Sequence, residues 1–120
     1  MPVKIKRIYE PRSDEDGYRI LVDRLWPRGI KKEDVHIDKW MKEIAPSTEL
    51  RKWFHREPEA DHWQQFVKAY NAELKKSVAV EELLTDIENH QTVTLLYAAK
   101  SEEQNHALVL KQFIINVQRK

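Results

Sequence analysis

Three stretches of the chain show hydrophobic patterns that are typical of β-strands. Residues 3–9 (VKIKRIY) alternate between two sides, and the lysines on one side predict a strand near a sheet edge. A turn-rich loop at 10–17 separates it from a second predicted strand at 18–26 (YRILVDRLW). Residues 91–99 (QTVTLLYAA) are nearly all apolar and include β-branched residues, which indicates a central strand covered on both faces.

Helical spacing governs most of the remaining chain. Ser47 is a predicted N-cap, and a first helical face follows it with Leu50, Trp53 and Phe54. Pro58 ends that run and opens a second helix with the stripe Trp63, Phe66, Val67, Tyr70 and Leu74. A third short helix carries Val80, Leu83, Leu84 and Ile87. After a predicted capping box at 101–104 (SEEQ), the last helix buries Ala107, Leu110, Phe113, Ile114 and Val117.

The order of these elements predicts the fold class. Residues 30–46 fit a helical turn near 31–34 and a short extended piece at 37–40. Strands at both ends of the chain with helices between them predict an α/β fold, a single layered domain over 1–120 with a small, mostly parallel sheet flanked by helices. A chain of 120 residues fits one domain and can bury a core of its own.

Composition excludes several classes of protein. Apolar residues make up 41% and charged residues 34%, a globular rather than a disordered mixture. The net charge of +1 provides no overall basic field for nucleic-acid binding, although it does not exclude a local basic patch. With no cysteine there is no disulfide, thiolate nucleophile or cysteine–zinc site. No signal-peptide core or membrane-length apolar run is visible, so we expect a cytoplasmic protein without a membrane partner.

Polar side chains gather where two predicted strands end. In open α/β sheets, ligands bind beyond the carboxyl ends of strands, near the amides of the next helix. Arg24 and Arg28 follow the second strand, and Lys100 and His106 follow the central one. If these strands are parallel neighbours, the four side chains can converge on one anion, since Arg supplies a planar fork, Lys a point charge and His a proton.

The residues then take specific predicted roles. His106 is the candidate acid/base, because its spacing to the apolar residues of the last helix directs it toward the end of the sheet. The predicted ligand-binding residues are Arg24, Arg28, Trp26, Tyr97, Lys100 and Asn105. Secondary candidates are Asp23, Arg51 and His55, the last two lying i and i+4 on the first helix.

Other standard chemistries are missing from the sequence. His55 and His62 flank three carboxylates, but their spacing matches no compact ligand pair and Pro58 interrupts it, so a solvated charged loop is the better interpretation. The chain has no glycine-rich phosphate loop, no serine nucleophile elbow and no HExxH. We therefore predict no metal and no cofactor.

Three blocks of the sequence resemble one family. Residues 22–33 (VDRLWPRGIKKE), 42–56 (KEIAPSTELRKWFHR) and 93–107 (VTLLYAAKSEEQNHA), with the helix at 63–74, are similar to the YeaO-like proteins, a domain family of unknown function numbered 488. The resemblance implies a compact bacterial α/β domain and no particular reaction. It covers Asp23, Arg24, Trp26, Pro27, Arg28, Gly29, Ala45, Pro46, Ser47, Leu50, Arg51, Trp53, Phe54, His55, Leu95, Tyr97, Ala98, Lys100, Asn105, His106 and Ala107.

Two functions and one structural alternative remain open from the sequence. The first is an anion-binding pocket at strand ends, with or without enzymatic action on a phosphorylated or carboxylated small molecule. The second is a non-catalytic module that recognises a protein or nucleic-acid partner through an Arg/Trp loop around Trp26. In the third, the clusters are structural, with Asp23 pairing to Arg28 and His106 bonded in the core. The sequence leaves the oligomeric state open.

Overall fold

The fold is built on four parallel strands, and the computed structural model describes residues 3–56 and 62–118. The strands are β1 (Val3–Arg7), β2 (Tyr18–Leu21), β3 (Lys39–Trp40) and β4 (Val93–Tyr97). They pair in the order β1-β4-β2-β3, so β1 lies at an edge and the fully buried β4 lies at the centre. The predicted α/β fold, the edge position of β1 and the central position of β4 are all confirmed.

Four helices in the described part of the chain carry the predicted apolar stripes to the core, except for Val117, which was predicted to be buried but lies outside the core clusters. They are α1 (Thr48–Arg56), α2 (His62–Lys76), α3 (Ala79–Glu88) and α4 (His106–Gln118). Ser47 caps α1 as predicted, because its Oγ accepts a hydrogen bond from the Leu50 amide at 3.2 Å. The predicted role of Pro58 lies outside the described residues.

The two faces of the sheet are covered differently. Ile20, Val22 and Leu95 face the main core, which all four helices share. Leu21 and Leu96 point to the opposite face, since successive residues of a strand alternate between faces. That second face is covered by residues of the β2–β3 connection and β3: Trp26, Ile30, Val35, Ile37 and Trp40.

A buried ionic cluster occupies the second face. Asp16, 4% exposed, contacts Lys6 Nζ at 2.9 Å and also pairs with Arg19, which is 1% exposed. Arg19 Nε additionally donates to the His36 carbonyl at 2.6 Å. Burial alone would raise the pKa of Asp16, but hydrogen bonds from the Ser13 amide, Lys6 and Arg19 outweigh burial and lower the pKa below 3.8.

Two predicted boundaries were wrong. The second strand was predicted to run to residue 26, but β2 ends at Leu21 and its last ladder bond is from the Val22 amide to the Leu96 carbonyl at 3.0 Å. The chain then turns because Trp26 packs into the second face, where its Nε1 donates to the Ile30 carbonyl at 2.6 Å. In contrast, the 3-10 turn at Lys32–Asp34 and the short β3 match the prediction for residues 30–46.

The second wrong boundary is the start of the last helix. Ser101 Oγ does accept from the Gln104 amide at 2.9 Å, but this bond closes a turn, and α4 begins only at His106. Asn105 lies directly before the helix and its Oδ1 accepts from the Leu108 amide at 2.9 Å. Asn105 therefore acts as the N-cap of α4. Because the helix begins at His106 and not directly after Ser101, His106 lies at the end of the sheet.

Candidate functional site

The carboxyl ends of β2 and β4 enclose a cavity together with the start of α1 and α4. β2 and β4 are parallel neighbours, so Asp23 and Ala98 leave the sheet side by side. The cavity has a volume of about 250 Å³. It is lined by Asp23, Arg24, Leu25, Ala45, Pro46, Arg51, His55, Ala98, Ala99 and His106.

Asp23 and His106 lie next to each other on the cavity wall, and each is held by a backbone group. Asp23 Oδ2 accepts from the Ala98 amide at 3.0 Å, extending the sheet ladder by one side-chain bond. Its Oδ1 lies 3.0 Å from His106 Nε2, which is also 3.0 Å from the Val22 carbonyl. Both neighbours of Nε2 are acceptors, so Nε2 carries a proton. The N–H is aligned with the Val22 carbonyl, and Oδ1 is close to it without an aligned hydrogen bond.

Arg24 connects this strand end to the start of α1. Its Nε donates to the Pro46 carbonyl at 3.1 Å and its Nη2 to the Ala45 carbonyl at 3.3 Å. Both acceptors are neutral, so these bonds fix the guanidinium without cancelling its charge. Arg24 thereby fixes one wall of the cavity and contributes a positive charge to it.

The start of α1 is fixed to α2. Ser47 donates to the two carboxylate oxygens of Glu73, from its amide at 2.9 Å and from its Oγ at 2.6 Å. These two hydrogen bonds to Glu73 set where α1 begins and therefore where its side chains lie. Arg51 and His55, one helical turn apart, both face the cavity as a result.

Arg51 has no partner in the described part of the chain. Its Nε is buried without a hydrogen bond, and its other nitrogens form neither a hydrogen bond nor an ion pair to the described residues. Leaving a buried donor unsatisfied costs about 1–3 kcal/mol. A lone guanidinium that lines a cavity is therefore the feature of this site that most needs explanation.

His55 is affected by the same positive charges. Burial lowers the pKa of His55 below 6.5, and the nearby charges of Arg51 and His106 lower it further. At neutral pH the ring of His55 is therefore largely uncharged. The fixed charges at the cavity are then the two arginines against the single carboxylate of Asp23.

Five of the predicted site residues do not line this cavity. Trp26 packs edge-to-face on Trp40, with ring centroids 5.3 Å apart, in the second-face cluster. Arg28 is exposed, its carbonyl accepts from the Tyr9 hydroxyl at 2.8 Å, and it forms no ion pair with Asp23 or any other described residue. Lys100 is also exposed.

The other two are used by the fold. Tyr97 is 3% exposed in the main core, and its pKa is raised by burial and then by the charges of Glu102 and Glu10. Asn105 is 2% exposed and serves as the N-cap of α4. The structure thus brings together Arg24, His106, Asp23, Arg51 and His55 from the sequence prediction.

Periodicity and motif spacing did not indicate the small apolar residues of the cavity wall, although the family resemblance covers Ala45, Pro46 and Ala98. Ala98 and Ala99 owe their position to Arg7, whose Nε donates to the Ala99 carbonyl at 2.9 Å and whose Nη2 lies 3.4 Å from the Ala98 carbonyl. The alternating pattern of β1 did predict on which side of the strand Arg7 lies. Its contacts with residues 98 and 99 depend on the pairing of β1 with β4, in which Arg7 lies opposite Tyr97.

A larger hollow of about 520 Å³ lies on the second face. Its lining carries both signs of charge, with Arg12, Arg19 and Lys31 against Glu10, Glu33 and Asp34. Such a lining does not select for the charge of a ligand, and Arg19 is already paired with Asp16. The smaller cavity is the better candidate site because its cations lack this compensation.

Two further classes of site are missing from residues 3–56 and 62–118. No group of three or more His, Asp or Glu side chains there could hold a metal ion. None of the described helices has the length and apolar composition needed to cross a membrane.

Comparison with known proteins shows the family. A family model described as the inactive DUF488-N3 subclade matches residues 2–120, and the chain belongs to this family, as its resemblance to the YeaO-like proteins predicted. It is 53% identical over 114 residues to the uncharacterized protein YeaO of Escherichia coli K12, covering 95% of this chain and 97% of that protein. It is 40% identical over 112 residues to the uncharacterized protein Rv3073c of Mycobacterium tuberculosis H37Rv, covering 93% and 92%. No solved structure matches the chain.

Proposed function

We propose that this protein binds a small phosphorylated or carboxylated molecule in the cavity at the ends of β2 and β4, without transforming it chemically. The observation that carries the proposal is the unpartnered guanidinium of Arg51 on the cavity wall. A ligand oxyanion would supply the acceptors that Arg51 lacks, in the planar arrangement that guanidinium groups prefer.

The charge balance of the site favours an anion over a neutral ligand. Asp23 supplies one carboxylate against the guanidinium groups of Arg24 and Arg51, which leaves the cavity with an excess of one positive charge. Arg24 is held by two neutral carbonyls. His106 also lines the cavity, and its Nδ1 makes no hydrogen bond to the described residues.

The family description favours binding over catalysis. The matching model is described as an inactive subclade, and we take that description to extend to this chain. The geometry is consistent with this assignment because Nε2 of His106 is bonded to the Val22 carbonyl, directly after β2. The module that contacts a macromolecule through an Arg/Trp loop remains a prediction, and the packing of Trp26 against Trp40 does not favour it.

Thermal unfolding in the presence of anions tests the proposal. Inorganic phosphate, phosphomonoesters and small carboxylates are each titrated against the wild-type protein, Arg51→Gln and Arg56→Gln. Arg56 is the matched control, since it lies exposed on the same helix and outside the cavity. A ligand at 100 times its Kd adds about 2.7 kcal/mol to the free energy of unfolding. We expect this gain in the wild type and in Arg56→Gln and its loss in Arg51→Gln. Equal gains in both variants, or none in the wild type, would contradict the proposal.

A further inference from the structure

We propose that the ligand is an organic anion whose apolar part rests on Leu25, so that the cavity prefers it to inorganic phosphate. This inference rests on the proposed anion site and specifies its ligand class. It starts from the distribution of polar and apolar groups around the cavity. The polar side chains contributed by α1, α4 and the end of β2 are accompanied by five apolar wall residues, which are Leu25, Ala45, Pro46, Ala98 and Ala99.

The size of the cavity limits the ligand to a small molecule. A volume of about 250 Å³ lies just below the range of about 300–1,000 Å³ that is typical of sites for small organic molecules. A bare phosphate ion held by the arginines would leave the apolar wall in contact with water. An organic substituent on the same oxyanion would cover that wall.

Leu25 is held at the cavity by its neighbours. Arg24 is fixed to the carbonyls of residues 45 and 46, and Trp26 packs, partly buried, against the opposite face of the sheet. The residue between them is consequently turned outward, and Leu25 is 58% exposed while lining the cavity. An exposed leucine alone is ordinary on a protein surface. Here it is fixed by both neighbours beside an unpartnered cation.

The expected preference follows from the apolar surface that a ligand would cover. Covering part of the exposed Leu25 side chain corresponds to roughly a tenfold gain in affinity at the usual area coefficient. The gain should depend on Leu25 and be independent of how the oxyanion is held. Phosphate and carboxylate ligands should therefore both show it.

The test compares Kd values for paired ligands by isothermal titration calorimetry. The pairs are inorganic phosphate with phenyl phosphate, and acetate with benzoate, each measured on wild type, Leu25→Asn and Leu108→Asn. Leu108 is the control because it is also exposed, at 36%, but lies in a groove between α2 and α4. We expect the aromatic member to bind roughly tenfold tighter to wild type and to Leu108→Asn, and the ratio to fall toward one in Leu25→Asn.

Two results would overturn the inference while leaving the anion site intact. In the first, phosphate and phenyl phosphate bind equally well to the wild type. In the second, the preference survives in Leu25→Asn. Failure of the anion site itself looks different, because then no member of either pair binds, or binding persists unchanged in Arg51→Gln, and the inference falls with it.

Discussion

Arg19 and Arg51 show two ways in which this fold accommodates a buried guanidinium nitrogen, since Arg19 is fully buried and Arg51 is buried only in part. Arg19 is 1% exposed, and its guanidinium contacts the Asp16 carboxylate and the His36 carbonyl. Arg51 lines a cavity and has no acceptor in the described chain. The first arrangement is complete within the protein, while the second leaves a donor without an acceptor. Burial of a cation therefore does not by itself indicate a ligand site, and the proposed site rests on the missing partner of Arg51 instead.

The largest effect is expected from removing the counterion of Arg19. Asp16→Asn leaves Arg19 buried and Lys6 beside it without a negative charge. We expect a loss of about 3–5 kcal/mol in the free energy of unfolding, the usual cost of breaking a buried ion pair. Urea denaturation of wild type and variant measures it. Asp14→Asn, exposed and two residues earlier, should stay within about 0.5 kcal/mol of the wild type.

The same variant has a predicted pH dependence. The pKa of Asp16 in the folded state lies below 3.8. Its carboxylate therefore stabilises the folded state fully at pH values above 3.8, and this contribution is lost as the pH falls through the folded-state pKa. The difference between wild type and Asp16→Asn should thus be constant near neutral pH and shrink below about pH 4. A difference that stays constant down to pH 2 would show that the effect is steric rather than ionic.

The next effect compares the two glycines of the chain. Gly17, at φ 66°, follows Asp16, and a Cβ added there would meet the Thr92 carbonyl oxygen at 2.3 Å. Gly29, at φ 81°, has open space around the same position. We expect Gly29→Ala to cost about 1–2 kcal/mol from the left-handed backbone alone. Gly17→Ala should cost more because backbone atoms must also move. Equal melting temperatures for the two variants would contradict this order.

A small effect is expected where the cation has no partner. Arg51→Gln removes no hydrogen bond or ion pair to the described chain, so the free energy of unfolding should fall by less than about 1 kcal/mol, or rise because a buried unsatisfied donor is removed. Chemical denaturation without added anions measures it, beside Arg56→Gln. A loss comparable to that of Asp16→Asn would make Arg51 a structural residue like Arg19.

The smallest effect is on a neighbouring ionisation. Burial and then the charges of Arg51 and His106 lower the pKa of His55, so Arg51→Gln should raise that pKa toward 6.5. Because the wild-type pKa is lowered, protonation of His55 opposes folding and stability falls as the pH drops below 6.5. Titration of the ring resonances by NMR checks the direction. An unchanged pKa would indicate that Arg51 and His55 lie too far apart to share a ligand.

Periodicity was sufficient to predict the framework of this protein. The lysines of β1 marked an edge strand, and the apolar run of β4 marked the centre of the sheet. Boundaries were predicted less well where packing across the molecule decides them. β2 ends five residues early because Trp26 is drawn to the second face, and α4 starts late because Asn105 is the cap.

The site was harder to predict than the fold for a related reason. Arg28 and Lys100 lie close to the strand ends that the sequence predicted, yet neither lines the cavity. Arg51 reaches it from a helix whose start depends on Glu73, 26 residues away from Ser47. No local pattern reveals such a contact. Whether a residue such as Arg51 reaches the site from another part of the chain depends on tertiary packing. The sequence shows only its residue type.

The position of β4 has a consequence for how the chain becomes a protein. β1 and β2 do not pair with each other, since β4 lies between them, and β2 meets β3 over only two residues. During synthesis on the ribosome, β1 and β2 therefore lack their shared pairing partner while only the first 92 residues have been made. The sheet, and with it the cavity at the carboxyl ends of β2 and β4, can form only when the last quarter of the chain emerges and β4 inserts between β1 and β2. We expect nascent chains to depend on the slow, long-range pairing that exposes unfinished strand edges to aggregation.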